Sequence, residues 1–397
     1  MGVRRFPPES MSAPSARFST STPPARISVP SGLAWPGASI GVCEGGSGDG
    51  LCSLWGSERV GRRGALERLG RIGRGLLGGA AVGLGLQGVP ARGMDWTLLQ
   101  YGGRDYLPLR QIGLFYRLGP LERTERQFSL RIGQAALRGE SDSQEFFISH
   151  LKFILSYPIR EVSGELCMSR MDLVKVVDPV LRPSKIVSPG RVDTIVLDAG
   201  HGGSDGGAGG ILGKEKDYTL DVVARARLLF LNAGYHVHLT RVRDEFVSLE
   251  ERSRFANQFE RALFLSVHFN ASGKGTGVET FTLAPRGVPS MASDGPAVSD
   301  LVECPGNARD AENMALATAT HASLVAHTRL ADRGIKRARF FVIRETVLPS
   351  VLLEGGFMTN PEDMRRIATA EYRQGLAQGM VEAVRNYRRA LTPETAG

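Results

Sequence analysis

Residues 194–215 read TIVLDAGHGGSDGGAGGILGKE, an apolar run that passes directly into a glycine-rich loop. The run has the composition of a buried strand, and the loop carries His201 and then Glu215. Two further polar residues, His268 and Glu354, also follow apolar, strand-like runs. Two imidazoles, one carboxylate ligand and a spare carboxylate are the inventory of a catalytic zinc site.

The C-terminal half of the chain alternates between strand-like and helix-like segments. Apolar runs predict strands at 194–197, 235–240, 262–267, 277–283 and 350–353, and helical spacing predicts helices at about 218–232, 310–328 and 370–389. This order indicates an α/β fold, with a mostly parallel twisted sheet and helices on both faces. Ligands of such sheets collect beyond the carboxyl ends of the strands, where the candidate residues fall. We therefore expect a catalytic domain over residues 192–390.

Local signals predict several of the helix ends. Gly234 sits where the residue after a helix C-cap is expected, and Ser248 and Glu251 have the spacing of a capping box. Pro361, followed by two acidic residues, is typical of a helix start.

Charge is distributed unevenly along the chain. The 397 residues carry a formal net charge of +8 and a pI near 9.5, which would favour a nucleic-acid or membrane-surface partner. Residues 1–93 hold eleven Arg and no Lys against five Asp or Glu, a net of +6, so +2 remains from Met94 onward. The basic balance belongs to the leader, and we predict no nucleic-acid partner.

The leader has two parts. Residues 1–58 are rich in Ser, Pro, Gly and Ala and predict a disordered or upstream extension. Residues 59–93 place arginines before a short apolar run and small residues, as in a signal peptide, although a Gly/Ala-rich linker before a cytosolic enzyme is the alternative. Because a signal starts a chain, we hypothesise a translation start near Val60. The apolar run is too short for a stable membrane span of about 20 residues.

Residues 94–183 predict a small α+β module that precedes the catalytic domain. Strand-like runs occur at 96–100, 128–132, 146–149 and 173–177, and helical spacing occurs within 104–116. The layout resembles the stalk module of copper amine oxidase N-terminal domains. The resemblance supplies no copper ligands, and we expect packing or binding rather than catalysis. Residues 182–191 read as a linker.

Each candidate site residue also has a non-catalytic interpretation. The glycine loop around His201 could cradle a phosphate, but neither dinucleotide nor P-loop spacing is present in register. Glu215 alone would be an ordinary acid at a helix start, and His268 an ordinary strand-end residue. Glu354 would be costly to bury at a strand end without a partner. An H-E-x-x-H motif is absent, which excludes the helix-borne zinc arrangement.

Four motifs carry a specific resemblance. They are DAGHGGSD with EKD at 198–217, LTRVRD at 239–244, SVHFNA at 266–271 and LEGGFMTN at 353–360. Together they resemble the zinc-dependent N-acetylmuramoyl-L-alanine amidases of the amidase 3 type. Ala199 stands where that family usually has proline and Phe269 where it usually has alanine, and neither change removes a ligand.

The resemblance implies a function. One Zn²⁺ per catalytic domain would be held by His201, Glu215 and His268, with a position open to water, and Glu354 would be the general base. The reaction would be hydrolysis of the amide between N-acetylmuramic acid and L-alanine in peptidoglycan. It implies a periplasmic or secreted enzyme of cell-wall remodelling or daughter-cell separation, with an activator protein as a possible partner.

Two rival functions and several minor assignments stay open at this stage. The rivals are a different zinc hydrolase on a similar scaffold, such as a peptidase that cleaves within the stem peptide, and a non-catalytic wall-binding protein that keeps the fold. Asp198 could hold a ligand histidine or serve only the loop structure. Asn270, Glu279 and Arg344 are candidates for lining the substrate groove, and the long connection at 284–312 could border or gate that groove or be a disordered insertion.

Overall fold

The computed structural model describes residues 95–133, 135–187, 190–273, 275–292 and 296–392. The extension predicted at 1–58 and the signal peptide predicted at 59–93 lie outside the described residues.

Strands occur in both the N-terminal and the C-terminal half of the described residues. In chain order they are β1 (Leu99–Tyr101), β2 (Arg104–Pro108), β3 (Glu122–Arg123), β4 (Gln127–Ile132), β5 (Ala135–Glu140), β6 (Glu145–Ile148), β7 (Leu151–Ile154), β8 (Arg160–Val162), β9 (Glu165–Ser169), β10 (Thr194–Ala199), β11 (Gly209–Gly210), β12 (Gly213–Lys214), β13 (His236–Leu239), β14 (Ala262–Asn270), β15 (Val278–Leu283), β16 (Asp332–Ala338) and β17 (Ser350–Phe357).

The helices are concentrated in the C-terminal half. They are α1 (Leu109–Phe115), α2 (Arg170–Asp172), α3 (Asp178–Leu181), α4 (Glu215–Asn232), α5 (Leu249–Ala256), α6 (Asp310–Thr328), α7 (Phe341–Arg344), α8 (Pro361–Ile367) and α9 (Ala370–Leu391). A π-helical turn at Leu173–Val177 joins α2 to α3.

The principal sheet has the strand order β13-β10-β14-β17-β15-β16-β7-β6-β5-β4-β3. The first four strands are parallel, β15 runs antiparallel to β17, and β16 is again parallel to β15. The strands from β7 to β3 form an antiparallel meander. Strands β1, β2, β8 and β9 form a separate four-stranded sheet.

Alternate residues of the parallel strands pack on opposite faces of the sheet. Ile195 and Leu197 of β10 join the larger apolar core, which includes residues of α4, α6 and α9. Val196 points to a smaller core on the other face, formed with residues of α5 and α7. All eight residues of β17 are buried, as a strand covered on both faces requires. For the C-terminal half, the prediction of an α/β fold with a mostly parallel sheet and helices on both faces is confirmed; with the N-terminal meander the whole sheet is mixed.

The predicted helix ends are confirmed where they rested on local chemistry. The Ser248 side chain accepts from the backbone N–H of Glu251, and the Glu251 carboxylate accepts from the Ser248 backbone, which completes the capping box. Gly234 follows α4 with a φ of 83°, the left-handed conformation expected after a C-cap. Pro361 is the first residue of α8, and the Asn360 side chain caps that helix.

The strand predicted at 173–177 is wrong, because this segment is helical. The Ser169 side chain accepts from the Asp172 backbone N–H and starts the helical stretch. Leu173, Val176 and Val177 are buried while Val174 is 51% exposed, which is the one-sided pattern of a helix. The β-branched composition of the run suggested a strand, and packing of one face overrode it.

The N-terminal segment and the C-terminal segment share one sheet. Strand β7 pairs in parallel with β16 through Phe153 and Ile335. Beside this junction the buried Asp172 carboxylate accepts from Arg337 Nη1 at 3.0 Å, and Arg337 Nη2 donates to the Ile154 carbonyl at 2.9 Å. The division into a module at 94–183 and a catalytic domain at 192–390 stays a prediction.

Candidate functional site

The loop after β10 brings His201 and Glu215 together because two of its glycines leave room for them. A side-chain carbon on Gly207 would lie 2.6 Å from both Glu215 Oε2 and the His201 ring, and Gly207 has a φ of +65°. A side-chain carbon on Gly200 would lie 2.3 Å from the His268 ring. Gly200 and Gly207 are therefore required by the close approach of the candidate ligand side chains.

The three predicted ligand residues converge at the carboxyl ends of β10 and β14. His201 Nε2 lies 3.1 Å from Glu215 Oε2, and His268 Nδ1 lies 2.9 Å from Glu215 Oε1. One donor atom from each residue lies within 4.8 Å of the others. The Glu215 oxygens also accept from the backbone N–H groups of Ala208, at 2.8 Å, and Phe269, at 3.0 Å. These backbone bonds fix the carboxylate between the two imidazoles.

The two histidines control the protonation of Glu215. Burial would raise the pKa of the Glu215 carboxyl, but hydrogen bonds and charge from His201 and His268 hold it well below its ordinary value. For His201, burial lowers the pKa, and hydrogen bonds and negative charge from Glu215 and Asp205 raise it above its usual value. The site therefore keeps an ionised carboxylate in a largely buried position.

Glu354 lies beside this cluster on β17. It stands opposite His268 of β14 and opposite Glu279 of β15 in the strand registers. Its side chain is buried, and its Oε2 atom has no hydrogen-bond partner among the described residues. Burial, followed by the charges of Glu215 and Glu279, raises the pKa of Glu354 well above its ordinary value. A buried, unpartnered carboxyl group of this kind is typical of a functional site.

The donor set fits a catalytic divalent metal. Two imidazole nitrogens and one carboxylate oxygen are the three protein ligands that a catalytic zinc takes when it keeps a fourth position open. Glu354, with an oxygen that has no partner among the described residues, stands opposite His268 on the neighbouring strand.

Asp205 is a residue of the candidate site that the sequence interpretation missed. Its Oδ2 atom lies 2.8 Å from His201 Nδ1, on the ring edge opposite the nitrogen that faces Glu215. Its Oδ1 atom accepts from the Gly207 backbone at 3.0 Å. A carboxylate in this position fixes the orientation of a ligand histidine. Its place four residues after His201, in the same loop, was the available signal.

Asp198 holds the loop, and its hydrogen-bond partners among the described residues include neither His201 nor His268. It is fully buried, and its oxygens accept from Arg252 Nη1, Thr240 Oγ1 and Ser266 Oγ at 2.6–2.7 Å. Arg252 also donates to the carbonyls of Ala199, at 2.6 Å, and His201, at 2.7 Å. Of the two roles left open for Asp198, the structural one matches these contacts.

Arg241 is a second buried arginine that binds the same loop. Its guanidinium donates to the carbonyls of Ala199, at 3.0 Å, and Gly200, at 2.9 Å. It also reaches the carbonyl of Lys216, at 2.7 Å, in the first turn of α4. Arg241 thereby ties the strand that leads to His201 to the helix that begins at Glu215.

The three minor candidates separate into two groups. Asn270 donates to Glu279 Oε2 at 3.0 Å, and Glu279 stands opposite Glu354 on the sheet. Arg344 instead pairs with Glu345 at 2.6 Å at the end of α7. A small cavity of about 80 Å³ opens beside the ligands, and it is lined by His201, His268, Phe246, Leu249 and Val342 among others.

The long connection after β15 is tied to the sheet by Arg339. Arg339 Nε donates to Asp300 Oδ1 at 2.9 Å, and its Nη2 atom donates to the carbonyls of Pro285, at 2.8 Å, and Asp300, at 2.9 Å. Short helical turns occupy Val298–Leu301 and Pro305–Arg309 within this connection. A role in bordering or gating the groove stays a prediction.

Comparisons with known proteins agree on one family. The amidase 3 family model, described as N-acetylmuramoyl-L-alanine amidase, matches residues 195–386. The chain is 33% identical over 187 residues to the sporulation-specific N-acetylmuramoyl-L-alanine amidase of Bacillus subtilis. That alignment covers 47% of this chain and 64% of the Bacillus protein. It is 30% identical over 249 residues to the N-acetylmuramoyl-L-alanine amidase AmiA of Escherichia coli, covering 55% of this chain and 84% of that protein.

A solved structure also aligns with about half of the chain. The catalytic domain of CwlV, an N-acetylmuramoyl-L-alanine amidase from Bacillus (Paenibacillus) polymyxa var. colistinus, is 28% identical, with a TM-score of 0.42. The alignment covers 50% of this chain and 99% of that domain. On the family match and the similarity to AmiA, the chain belongs to the amidase 3 family of N-acetylmuramoyl-L-alanine amidases.

Proposed function

We propose that this protein is a zinc-dependent amidase that hydrolyses the bond between N-acetylmuramic acid and L-alanine in peptidoglycan. The observation that carries the proposal is the convergence of His201, Glu215 and His268 beside the unpartnered carboxyl of Glu354. Family membership supports the choice of substrate.

His201, Glu215 and His268 are the residues that would hold one Zn²⁺. When bound, the ion would supply a Lewis acid that lowers the pKa of water and polarises the amide carbonyl. The chain contributes the ligand geometry, since Asp205 orients His201 and backbone N–H groups orient Glu215.

Glu354 is the proposed general base and then general acid. Its Oε2 atom takes a proton from the attacking water, whose oxygen forms the new bond to the amide carbonyl carbon. Glu354 then gives that proton to the nitrogen of L-alanine as the carbon–nitrogen bond breaks. The products are a free lactyl carboxylate on the sugar and a peptide with an L-alanine amino terminus.

The loop and helix around the ligands serve to keep this geometry rigid. Arg252 and Arg241 bind the loop carbonyls between Ala199 and His201, and Asp198 neutralises Arg252. Fixed donors and acceptors of this kind keep the reacting groups from reorganising during the reaction.

The cellular setting is part of the same proposal. A peptidoglycan substrate implies a periplasmic or secreted enzyme that acts in wall remodelling or daughter-cell separation, delivered by the signal peptide predicted at 59–93. No helix among the described residues has the length and apolar character needed to cross a membrane. The chain spans 64% of the length of the Bacillus subtilis relative. An activator protein and a stalk-like role of residues 94–183 stay predictions.

Metal analysis combined with digestion of purified sacculi tests the proposal. We expect about one zinc per chain and release of peptides that begin with L-alanine, both lost after chelation and regained when zinc is returned. Cleavage between two stem residues would support the rival peptidase. Binding to sacculi without chelator-sensitive release would support the rival wall-binding protein.

A further inference from the structure

A row of polar side chains crosses the sheet away from the metal ligands. Residues directly opposite each other on paired strands present their side chains on the same face of the sheet. His268 stands opposite Glu354, and Glu354 stands opposite Glu279. Glu279 therefore shares the sheet face that carries the site, one strand further out.

The buried Glu279 carboxylate is paired with two cationic side chains. Its Oε1 atom accepts from Arg333 Nε and from Lys336 Nζ, each at 2.6 Å, and its Oε2 atom accepts from Asn270 at 3.0 Å. Glu279 is 2% exposed, so these groups satisfy it in a nearly dry position. Two cations therefore meet the Glu279 carboxylate at this point of the sheet, and the Glu354 carboxyl stands opposite it on the neighbouring strand.

Arg333 is the more exposed of the two cations that pair with Glu279. The side chain of Arg333 is 37% exposed, compared with 17% for Lys336. Only its Nε atom is hydrogen-bonded within the described residues, and its guanidinium lies 4.9 Å from the centre of the Phe357 ring. The two terminal nitrogens of Arg333 have N–H donors without a partner among the described residues. A guanidinium oriented in this way can bind a planar carboxylate with two hydrogen bonds.

We propose that Arg333, supported by Glu279 and Lys336, binds a free carboxylate on the stem peptide, at the residue that follows L-alanine. Neighbouring strands lie about 4.8 Å apart, so the strand of Arg333 is roughly 10 Å from that of Glu354. Two extended peptide residues span roughly 7 Å, and the arginine side chain covers the remaining distance. This inference rests on the proposed amidase function and specifies which substrates the site prefers.

A matched pair of substrates tests the assignment. One is N-acetylmuramoyl-L-alanyl-γ-D-glutamyl-L-lysine, and the other carries a carboxamide in place of the α-carboxylate of the second residue. For the zinc-loaded full chain we expect kcat/KM to be roughly 10- to 100-fold higher for the carboxylate, mainly through KM, since charge-assisted hydrogen bonds are lost with the amide. Arg333→Gln should bring the ratio of the two kcat/KM values to about one, because the variant has no planar cation that distinguishes the carboxylate from the carboxamide.

Two further variants separate recognition from folding. Arg333→Lys keeps the charge without the planar fork and should retain part of the preference, and Arg227→Gln, at an exposed position on α4, should keep all of it. Dissociation constants measured in the Glu354→Gln background should show the same preference without turnover.

Two different failures can be told apart. Equal rates on the two substrates with the unaltered enzyme, or an equal loss on both with Arg333→Gln, would overturn this inference. Release of no L-alanyl peptide from either compound would instead overturn the proposed function.

Discussion

Glu354 and His268 occupy directly opposed positions on the parallel strands β17 and β14, so the proposed proton carrier and one proposed metal ligand share one sheet face. Glu354 keeps one buried oxygen without a partner among the described residues, whereas His268 is bonded to Glu215. This register places the proposed base on the strand beside a proposed ligand, in regular secondary structure.

Gly207→Ala should weaken metal binding strongly, and Gly209→Ala should not. A side-chain carbon at Gly207 would lie 2.6 Å from Glu215 Oε2 at a φ of +65°, while one at Gly209 would meet no atom within 4 Å. The left-handed backbone alone costs about 1–2 kcal/mol for alanine. Zinc competition with a chromogenic chelator compares the two variants, and similar affinities would show that the loop tolerates the side chain.

Asp205→Asn should raise the zinc dissociation constant by about 10- to 100-fold, because the amide orients His201 less well than the carboxylate. The observation behind this is the 2.8 Å contact between Asp205 Oδ2 and His201 Nδ1. Asp217→Asn is the matched control, since Asp217 is an exposed acid in the first turn of the same helix as Glu215. An unchanged dissociation constant for Asp205→Asn would remove Asp205 from the site.

The metal-free protein should be most stable at mildly acidic pH. The lowered pKa of Glu215 contributes stability above about pH 4.3, which is lost as pH falls through the folded value. The raised pKa of His201 contributes stability below about pH 6.5, which is lost as pH rises through its folded value. Melting temperatures in chelator between pH 4 and 9 check this. The decline above pH 6.5 should shrink in His201→Gln, and an identical profile in that variant would contradict the assignment.

Arg337→Leu should destabilise the whole chain by about 3–5 kcal/mol, because it leaves the buried Asp172 carboxylate without its cation. Arg123→Leu breaks an exposed pair with Glu161 and should cost at most about 1 kcal/mol. Denaturant unfolding measures both. A small effect of Arg337→Leu would mean that the junction between β7 and β16 contributes little to stability.

The parts of the fold that local chemistry decides could be predicted from sequence. The capping box at Ser248 and the glycine after α4 depend on neighbouring residues, and the ligands stand where apolar strands end. Strand β16 was missed because Arg333, Gly334 and Lys336 interrupt its apolar pattern. The helical turn at 173–177 was misread because its β-branched residues favour strands until tertiary packing is known.

The carbonyl-binding arginines could not be identified for a related reason. Arg241 and Arg252 are only 2% and 3% exposed, whereas arginine side chains are ordinarily exposed to solvent. Their burial depends on carbonyls from a loop more than forty residues away along the chain. The sequence places Asp205 in the same loop as His201, but only the folded geometry distinguishes it from the other polar residues of that loop.

Mass spectrometry of sacculi digested by the zinc-loaded protein and by its Glu354→Gln variant tests the central claim most directly. The unaltered protein should release peptides whose new amino terminus is L-alanine. The variant should bind the same amount of zinc and lose about 10²- to 10⁴-fold in kcat, the usual contribution of a positioned proton carrier. Equal release by the variant, or new termini within the stem peptide, would contradict the account.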